Sequence, residues 1–213
     1  MILTDSELLA RFFCKEPSRR IQVSPIINWR KQLQPSSIDL RLGSEVVVFR
    51  REMESVLDLL DRKGEEVTRR LAHRMSVNPL QGFVIHPGDF LLATTFESMR
   101  LPADIAARLE GKSSWGRLGL QIHSTAGFID PGFAGKVTFE ISNVGTLPMR
   151  LYPGLLVAQV CFFQAKFPSI KAYDKENKYF GQLRTEPSRY YKDVEVRQFV
   201  KYIGMRRDRD EAE

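Results

Sequence analysis

No run of about 18 apolar residues occurs in this chain, so no membrane span is expected. Cysteine is scarce. Cys14 and Cys161 stand far apart, form no CxxC pair and give no disulfide framework, which fits a reducing cytosol. No block of five like charges is present, and the closing stretch MRRDRDEAE mixes both signs, so it reads as a solvated tail rather than a nucleic-acid arm. GxxxxGK[ST] is missing, which leaves a P-loop NTPase without support. The opening MILTDSELLARFF has acidic residues before its apolar stretch and no basic n-region, so no secretory signal is expected. No fixed-period repeat and no linker divides the chain.

What is there suits one globular domain. The length of 213 residues fits a single domain, and 43% hydrophobic with 27% charged residues excludes wholesale disorder. A net charge of +6 suits either plain solubility or an anionic partner. Because the charges are interspersed, they favour a phosphate-bearing small molecule over long nucleic acid.

Thr4 and Asp5 cap SELLARFF, with Leu8, Leu9 and Phe12 on one helical face, which predicts a short N-terminal helix. Ile38, Leu40 and Leu42 alternate with Asp39 and Arg41 as a strand; Gly43-Ser44 reads as a turn before EVVVF. ESVLDLLDRKGEEVTRRLAHRM is open between helical turns broken at Gly64 and a long excursion between strands. From Gly82 short strands alternate with Pro-Gly-Asp, Asp-Pro-Gly and Tyr-Pro-Gly punctuation, the texture of a sandwich or distorted barrel. Cys161, within VCFF, reads as core. From about residue 170 the chain is polar and Lys/Tyr-rich, a composition able to stay disordered until it closes over a ligand.

Three clusters carry chemistry. In Glu110-Gly-Lys-Ser-Ser-Trp-Gly-Arg117, glycines, hydroxyls and two cations suit a phosphate cradle, with an ordinary polar turn equally open. His123-Ser-Thr-Ala-Gly-Phe-Ile-Asp130 ends in a Pro-Gly turn, where Asp130 by itself is a turn cap. On Lys136–Asn143, Thr138, Glu140 and Ser142 share the polar face of a strand. Glu140 gains a chemical role only where that face lines a pocket. His123 has no metal-ligand partner at usable spacing and reads as a satisfied structural histidine.

Taken in order, QPSSIDLRLG at 34–43, FVIHPGDFLLATTFESMRLP at 83–102, the run EGKSSWGRLGLQIHSTAGFIDPGFAGKVTFEISNVGTLPMRLYPGLLVAQV from Glu110, KYFGQ from Lys178 and EPSR from Glu186 resemble the dCTP deaminases of the dUTPase superfamily. Most of the chain is covered; residues 50–80 and the last two dozen are not. The resemblance implies a mainly β, distorted β-barrel or jelly-roll domain (β-clip) with a short N-terminal helix. It implies a single domain over 1–213 in a homotrimer with sites between subunits, residues from about 170 partly closing over the nucleotide. It also implies a cytoplasmic hydrolase of nucleotide metabolism that removes the 4-amino group of dCTP on the way to dUMP. Mg²⁺ accompanies the triphosphate, and no zinc, nucleic-acid or membrane partner is expected. The residues agree on zinc: His73, His86 and His123 are not followed by x-Glu, and zinc deaminases need H-x-E with P-C-x-x-C.

By the same resemblance Glu140 is the general base, Ser113 and the Ala126 carbonyl hold the water, and Arg117 stabilises charge at the reacting centre. Lys112, Ser113, Ser114, Tyr173, Lys178 and Gln182 take the triphosphate, and Asp130 lies by the deoxyribose. Trp115, Gly116, Thr138, Phe139 and Gln159 line the nucleotide pocket; Trp115 replaces the family's usual Leu. Gly127-Phe128 matches the bifunctional members that continue to dUMP and diphosphate, where Asp130 positions the second water and a small Gly127 leaves room for it. Alternatives are a monofunctional deaminase releasing dUTP, a plain dUTPase, and a non-catalytic nucleotide-binding module. The dUTPase reading is disfavoured by a tail that lacks the Gly-rich phosphate cover.

Overall fold

Alternating apolar and polar residues make strands the default element here. The computed structural model describes residues 1–50, 56–61, 63–123 and 125–210, with side chains to residue 203. Twelve strands occur among them: β1 (Gln22–Ser24), β2 (Leu33–Gln34), β3 (Ser37–Phe49), β4 (Ala72–Ser76), β5 (Phe83–Ile85), β6 (Phe90–Arg100), β7 (Ile105–Gly111), β8 (Leu120–Gln121), β9 (Phe128–Ile129), β10 (Ala134–Asn143), β11 (Met149–Leu151) and β12 (Leu156–Gln164). The helices are α1 (Asp5–Phe12), α2 (Trp29–Gln32), α3 (Gly64–Leu71), α4 (Ser113–Gly116) and α5 (Val194–Asp210).

One sheet runs β8-β10-β6-β3-β12-β7-β9, with β1 on β6 and both β2 and β4 on β3; β5 and β11 pair separately. The edge strands β8 and β9 are neighbours in sequence, so residues 122–127 join the two ends of a curled sheet. Ile38, Leu40, Leu42, Phe139, Ile141, Val160 and Phe162, each fully buried, fill its interior.

α1 starts where the sequence places it. The Glu7 carboxylate accepts from the Thr4 backbone N–H at 2.8 Å and from the Thr4 hydroxyl at 3.0 Å. Leu8 and Phe12, four residues apart, are buried, whereas Leu9 faces outward.

Three expectations change. Gly43-Ser44 is no turn: β3 runs through it with a register shift between Leu42 and Val46. A Cβ at Gly43 would lie 2.7 Å from the Thr94 carbonyl oxygen, so this glycine permits a bulge that bends the strand from β12 toward β4. Gly64 begins α3 instead of breaking a helix, and residues 72–76 form a strand because they pair with β3. Residues 51–55 and 62 of that stretch lie outside the described residues. Cys161 is on the polar face of β12, opposite Ser37 and Arg108, because alternation gives the core to Val160 and Phe162. The backbone of the last charged stretch continues α5 as far as Asp210.

Two carboxylates are buried on β3 and β6. Asp39 is 1% exposed and pairs with Lys112. Glu97 accepts from Gln32 Nε2 at 3.0 Å and from the Arg41 backbone N–H at 2.9 Å. Burial pushes its carboxyl above the usual range, and these hydrogen bonds offset part of the shift.

Candidate active site

A cleft of about 290 Å³ opens at the seam of the curled sheet. One wall is β10, whose alternation sends Val137, Phe139 and Ile141 inward and turns Thr138 and Glu140 toward the cleft. The facing wall is the 122–133 connection, which contributes His123, Ala126, Phe128 and Asp130. The connection is fixed at both ends. The Glu140 N–H donates to the Ile122 carbonyl at 3.0 Å, and the Leu109 N–H donates to the Gly127 carbonyl at 2.8 Å.

Glu140 is thus in a cleft, not simply on a solvated strand face. His123 Nδ1 lies 3.8 Å from Glu140 Oε2, too far for a direct hydrogen bond. The imidazole side chain is only 7% exposed, and neither ring nitrogen has a hydrogen-bond partner. His123 is therefore not the satisfied structural histidine that the sequence suggested. Its isolation is a three-dimensional fact with no sequence signal.

Residues 173–188 form the roof. Gly132 (φ +89°) and Gly135 (φ +142°) bring the chain in closely; a Cβ at either would lie within 2.8 Å of the backbone of Tyr173 or Gln182. The Tyr173 N–H donates to the Pro131 carbonyl at 2.7 Å, and the Lys136 N–H to the Gln182 carbonyl at 2.7 Å. Gln182 Nε2 donates to Thr138 Oγ1 at 2.8 Å. The Tyr173 ring packs 5.8 Å from that of Phe133, and its hydroxyl accepts from the Tyr179 N–H. Burial pushes the Tyr173 hydroxyl up. Read from composition as able to stay disordered until ligand binding, this stretch is built onto β10 and the Asp130–Gly132 turn.

The remaining candidates lie elsewhere in the protomer. Ser113, Ser114, Gly116 and Arg117 are exposed on and just after α4 and do not line the cleft. Trp115 packs against the core and donates from Nε1 to the Leu156 carbonyl at 2.9 Å, so its bulk is taken up structurally. Gln159 is opposite Asp39 and Glu110 across the sheet, near Lys112 rather than the cleft. Lys178 pairs with Asp193 at 2.5 Å. The Phe139 side chain is fully buried in the core, which leaves only its backbone for a ligand. Gly127 is not on the cleft wall. A Cβ there would lie 2.8 Å from the Leu109 carbonyl oxygen, so what this glycine allows is close approach to β7, not open space for a water.

A curled, mainly β sheet with a cleft at its seam is an architecture this chain shares with a solved deaminase. A solved dCTP deaminase from Agrobacterium tumefaciens is similar to this chain, with a TM-score of 0.55 at 28% identity. It is matched over 76% of this chain and 46% of its own, so this chain spans about half of that one. The chain belongs to the dCTP deaminase-like family, whose pattern matches residues 2–165. Proteins named "dCTP deaminase, dUMP-forming" are similar along most of their length. That of Methanosphaera stadtmanae (strain ATCC 43021 / DSM 3091 / JCM 11832 / MCB-3) is 45% identical, covering 83% of this chain and 89% of the relative. That of Thermobifida fusca (strain YX) is 45% identical, covering 90% and 93%.

Proposed function

We propose that this protein hydrolyses dCTP to dUMP, ammonia and diphosphate. The observation that carries the reading is Glu140, a carboxylate on a cleft wall beside an unpartnered imidazole, with Ala126 lining the same cleft. It removes a proton from a water that adds to C4 of the cytosine ring and later protonates the departing ammonia. Tyr173, Gln182, Thr138 and Asp130 border the same cleft and suit the sugar and the near phosphates. A second water, positioned by Asp130, attacks the α-phosphorus and releases diphosphate.

Ser113 and Arg117 complete the site from a neighbouring subunit. The support is their separation in the protomer: the hydroxyls and cation on and after α4 are exposed, away from the cleft that needs them. A homotrimer that places this loop against the next protomer's cleft brings Lys112, Ser113 and Ser114 to the triphosphate, and Arg117 to the reacting ring. Mg²⁺ enters as Mg·dCTP. Among the described residues no group of three His, Cys, Asp or Glu side chains is arranged to hold a metal. The reaction belongs in the cytoplasm, without nucleic-acid or membrane partners. No described helix is long and apolar enough to cross a membrane, and both cysteines are free thiols.

The test is product analysis. Purified protein with dCTP and Mg²⁺ is expected to yield ammonia, diphosphate and dUMP in equal amounts, with nucleotides separated by anion exchange. Accumulation of dUTP without diphosphate would remove the second step, and no ammonia from folded protein would remove the deaminase.

Gly127→Ala probes that second step. The new Cβ pushes the 125–128 segment off Leu109 and shifts Asp130 with it. The expected result is a rise in the dUTP:dUMP ratio in protein whose thermal melt confirms folding. An unchanged ratio would separate Gly127 from product choice.

A further inference from the structure

The roof of the cleft is tied to the sheet at two places. Near its middle the Gly181 N–H donates to the Ala134 carbonyl at 2.7 Å, beside the Lys136–Gln182 bond. Further on, Thr185 is fully buried. Its hydroxyl donates to the Glu45 carbonyl at 2.9 Å, and Arg74 Nε donates to the Thr185 carbonyl at 3.0 Å. Two pieces of roof flank this tied stretch and line the cleft: Tyr179 before it, and Glu186, Pro187 and Ser188 after it. Among the described residues no backbone hydrogen bond joins either piece to a strand.

One side chain bridges the two pieces. Arg189 donates from Nη1 to the Lys178 carbonyl and from Nη2 to the Glu186 carboxylate. Its backbone N–H donates to the Tyr179 hydroxyl at 3.0 Å, and its guanidinium carbon is 5.8 Å from the centre of the Tyr179 ring. A planar guanidinium suits this task, because its fixed fork serves two acceptors at once. Arg189 borders a polar hollow behind the roof and is not one of the residues lining the cleft, so any effect on a ligand passes through its neighbours. Its side chain keeps 29% exposure. An ion pair that open to water adds little to global stability, so its effect is local.

We infer that Arg189 is a positioning residue: it clamps residues 178–179 to residues 186–188 and so sets Tyr179 and Glu186 against the cleft before a nucleotide arrives. The inference rests on reading this cleft as the nucleotide site. Without the clamp the two pieces are in place for only part of the time, and apparent affinity falls by that fraction. Glu140 and His123 belong to other walls, so the chemistry of a filled site is left as it was.

Arg189→Met tests the assignment, keeping an apolar stem and removing the donors. The expected result is a KM for dCTP raised about tenfold, as for a roof in place a tenth of the time, with kcat and the thermal melt little changed. Arg189→Lys, which keeps the cation without the fork, is expected to fall between the two. Without nucleotide, trypsin is expected to cut Arg189→Met faster than the unaltered protein after Lys178 and Arg184, with fragments identified by mass. An unchanged KM would overturn the proposal, whatever the trypsin result. So would a fall in kcat together with the melt, which would make Arg189 a general structural residue. Full recovery of KM in the double variant Arg189→Met, Glu186→Gln would also overturn it, because a bared carboxylate in the cleft would then explain the whole effect. The trypsin comparison needs no turnover. If the protein releases no ammonia from dCTP, the nucleotide reading fails, and equal cleavage of the two proteins would separately remove the clamp.

Discussion

Glu140→Gln is expected to abolish ammonia release from dCTP, with a fall of about 10²–10⁴-fold, the usual contribution of a positioned general base. Binding of dCTP is expected to stay within a few-fold, read by calorimetric titration. The amide keeps the shape of the carboxylate but cannot take a proton from water. The strand itself is secured by features that the substitution leaves alone. The Glu140 N–H to Ile122 carbonyl bond is backbone, and Phe139 and Ile141 on either side are buried. His123 makes no direct hydrogen bond to Glu140, so the swap breaks no side-chain contact in the protomer. A loss of activity with binding intact therefore reads as lost proton transfer. Turnover close to that of the unaltered protein would remove Glu140 from that role. Loss of binding together with turnover would instead make it a substrate anchor.

How much of this was legible beforehand depends on what kind of constraint each residue answers. The β10 pattern was readable because alternation is local: Thr138 and Glu140 face the cleft for the same reason that Val137 and Phe139 face the core. The Asp-Pro-Gly turn and the α1 cap were readable because turn and cap chemistry lies within four residues. Gly43 was misread because a glycine in a bulge and a glycine in a turn look alike in sequence, and only the Thr94 carbonyl distinguishes them. Cys161 was misread because an apolar run hides its alternation when the outward residue is itself apolar. His123 and the Asp39–Lys112 pair were invisible as interactions. Their partners, or lack of them, depend on contacts across the sheet, and Lys112 lies 73 residues from Asp39. The phosphate-cradle motif was recognised from composition, but its separation from the cleft is a property of the folded protomer.

Lys112→Met is expected to destabilise the protein by about 3 kcal/mol, the low end of what breaking a buried pair costs. The low end applies because the Lys112 side chain keeps 27% exposure while that of Asp39 keeps 2%. Without the ammonium, Asp39 Oδ2 retains only Gln34 Nε2 at 3.3 Å, and Oδ1 has no hydrogen-bond partner at all. For a chain of this size such a loss lowers Tm by about 6–12 °C, measured without nucleotide. Asp39→Asn leaves a lysine that can turn to water, so its expected cost is smaller. The double variant is expected to melt above Lys112→Met, because a neutral amide beside a thioether strands no charge. Equal melting of Lys112→Met and the unaltered protein would mean that Asp39 gains nothing from the pair. The pairing also bears on catalysis. An ammonium has three N–H donors, so Lys112 can hold Asp39 with one and a phosphate oxygen with another. Asp39 then fixes the lysine at the start of α4, next to Ser113, before substrate arrives. On that account Lys112→Arg should keep much of the stability yet raise KM for dCTP, since a planar guanidinium aimed at one carboxylate presents its remaining donors in different directions.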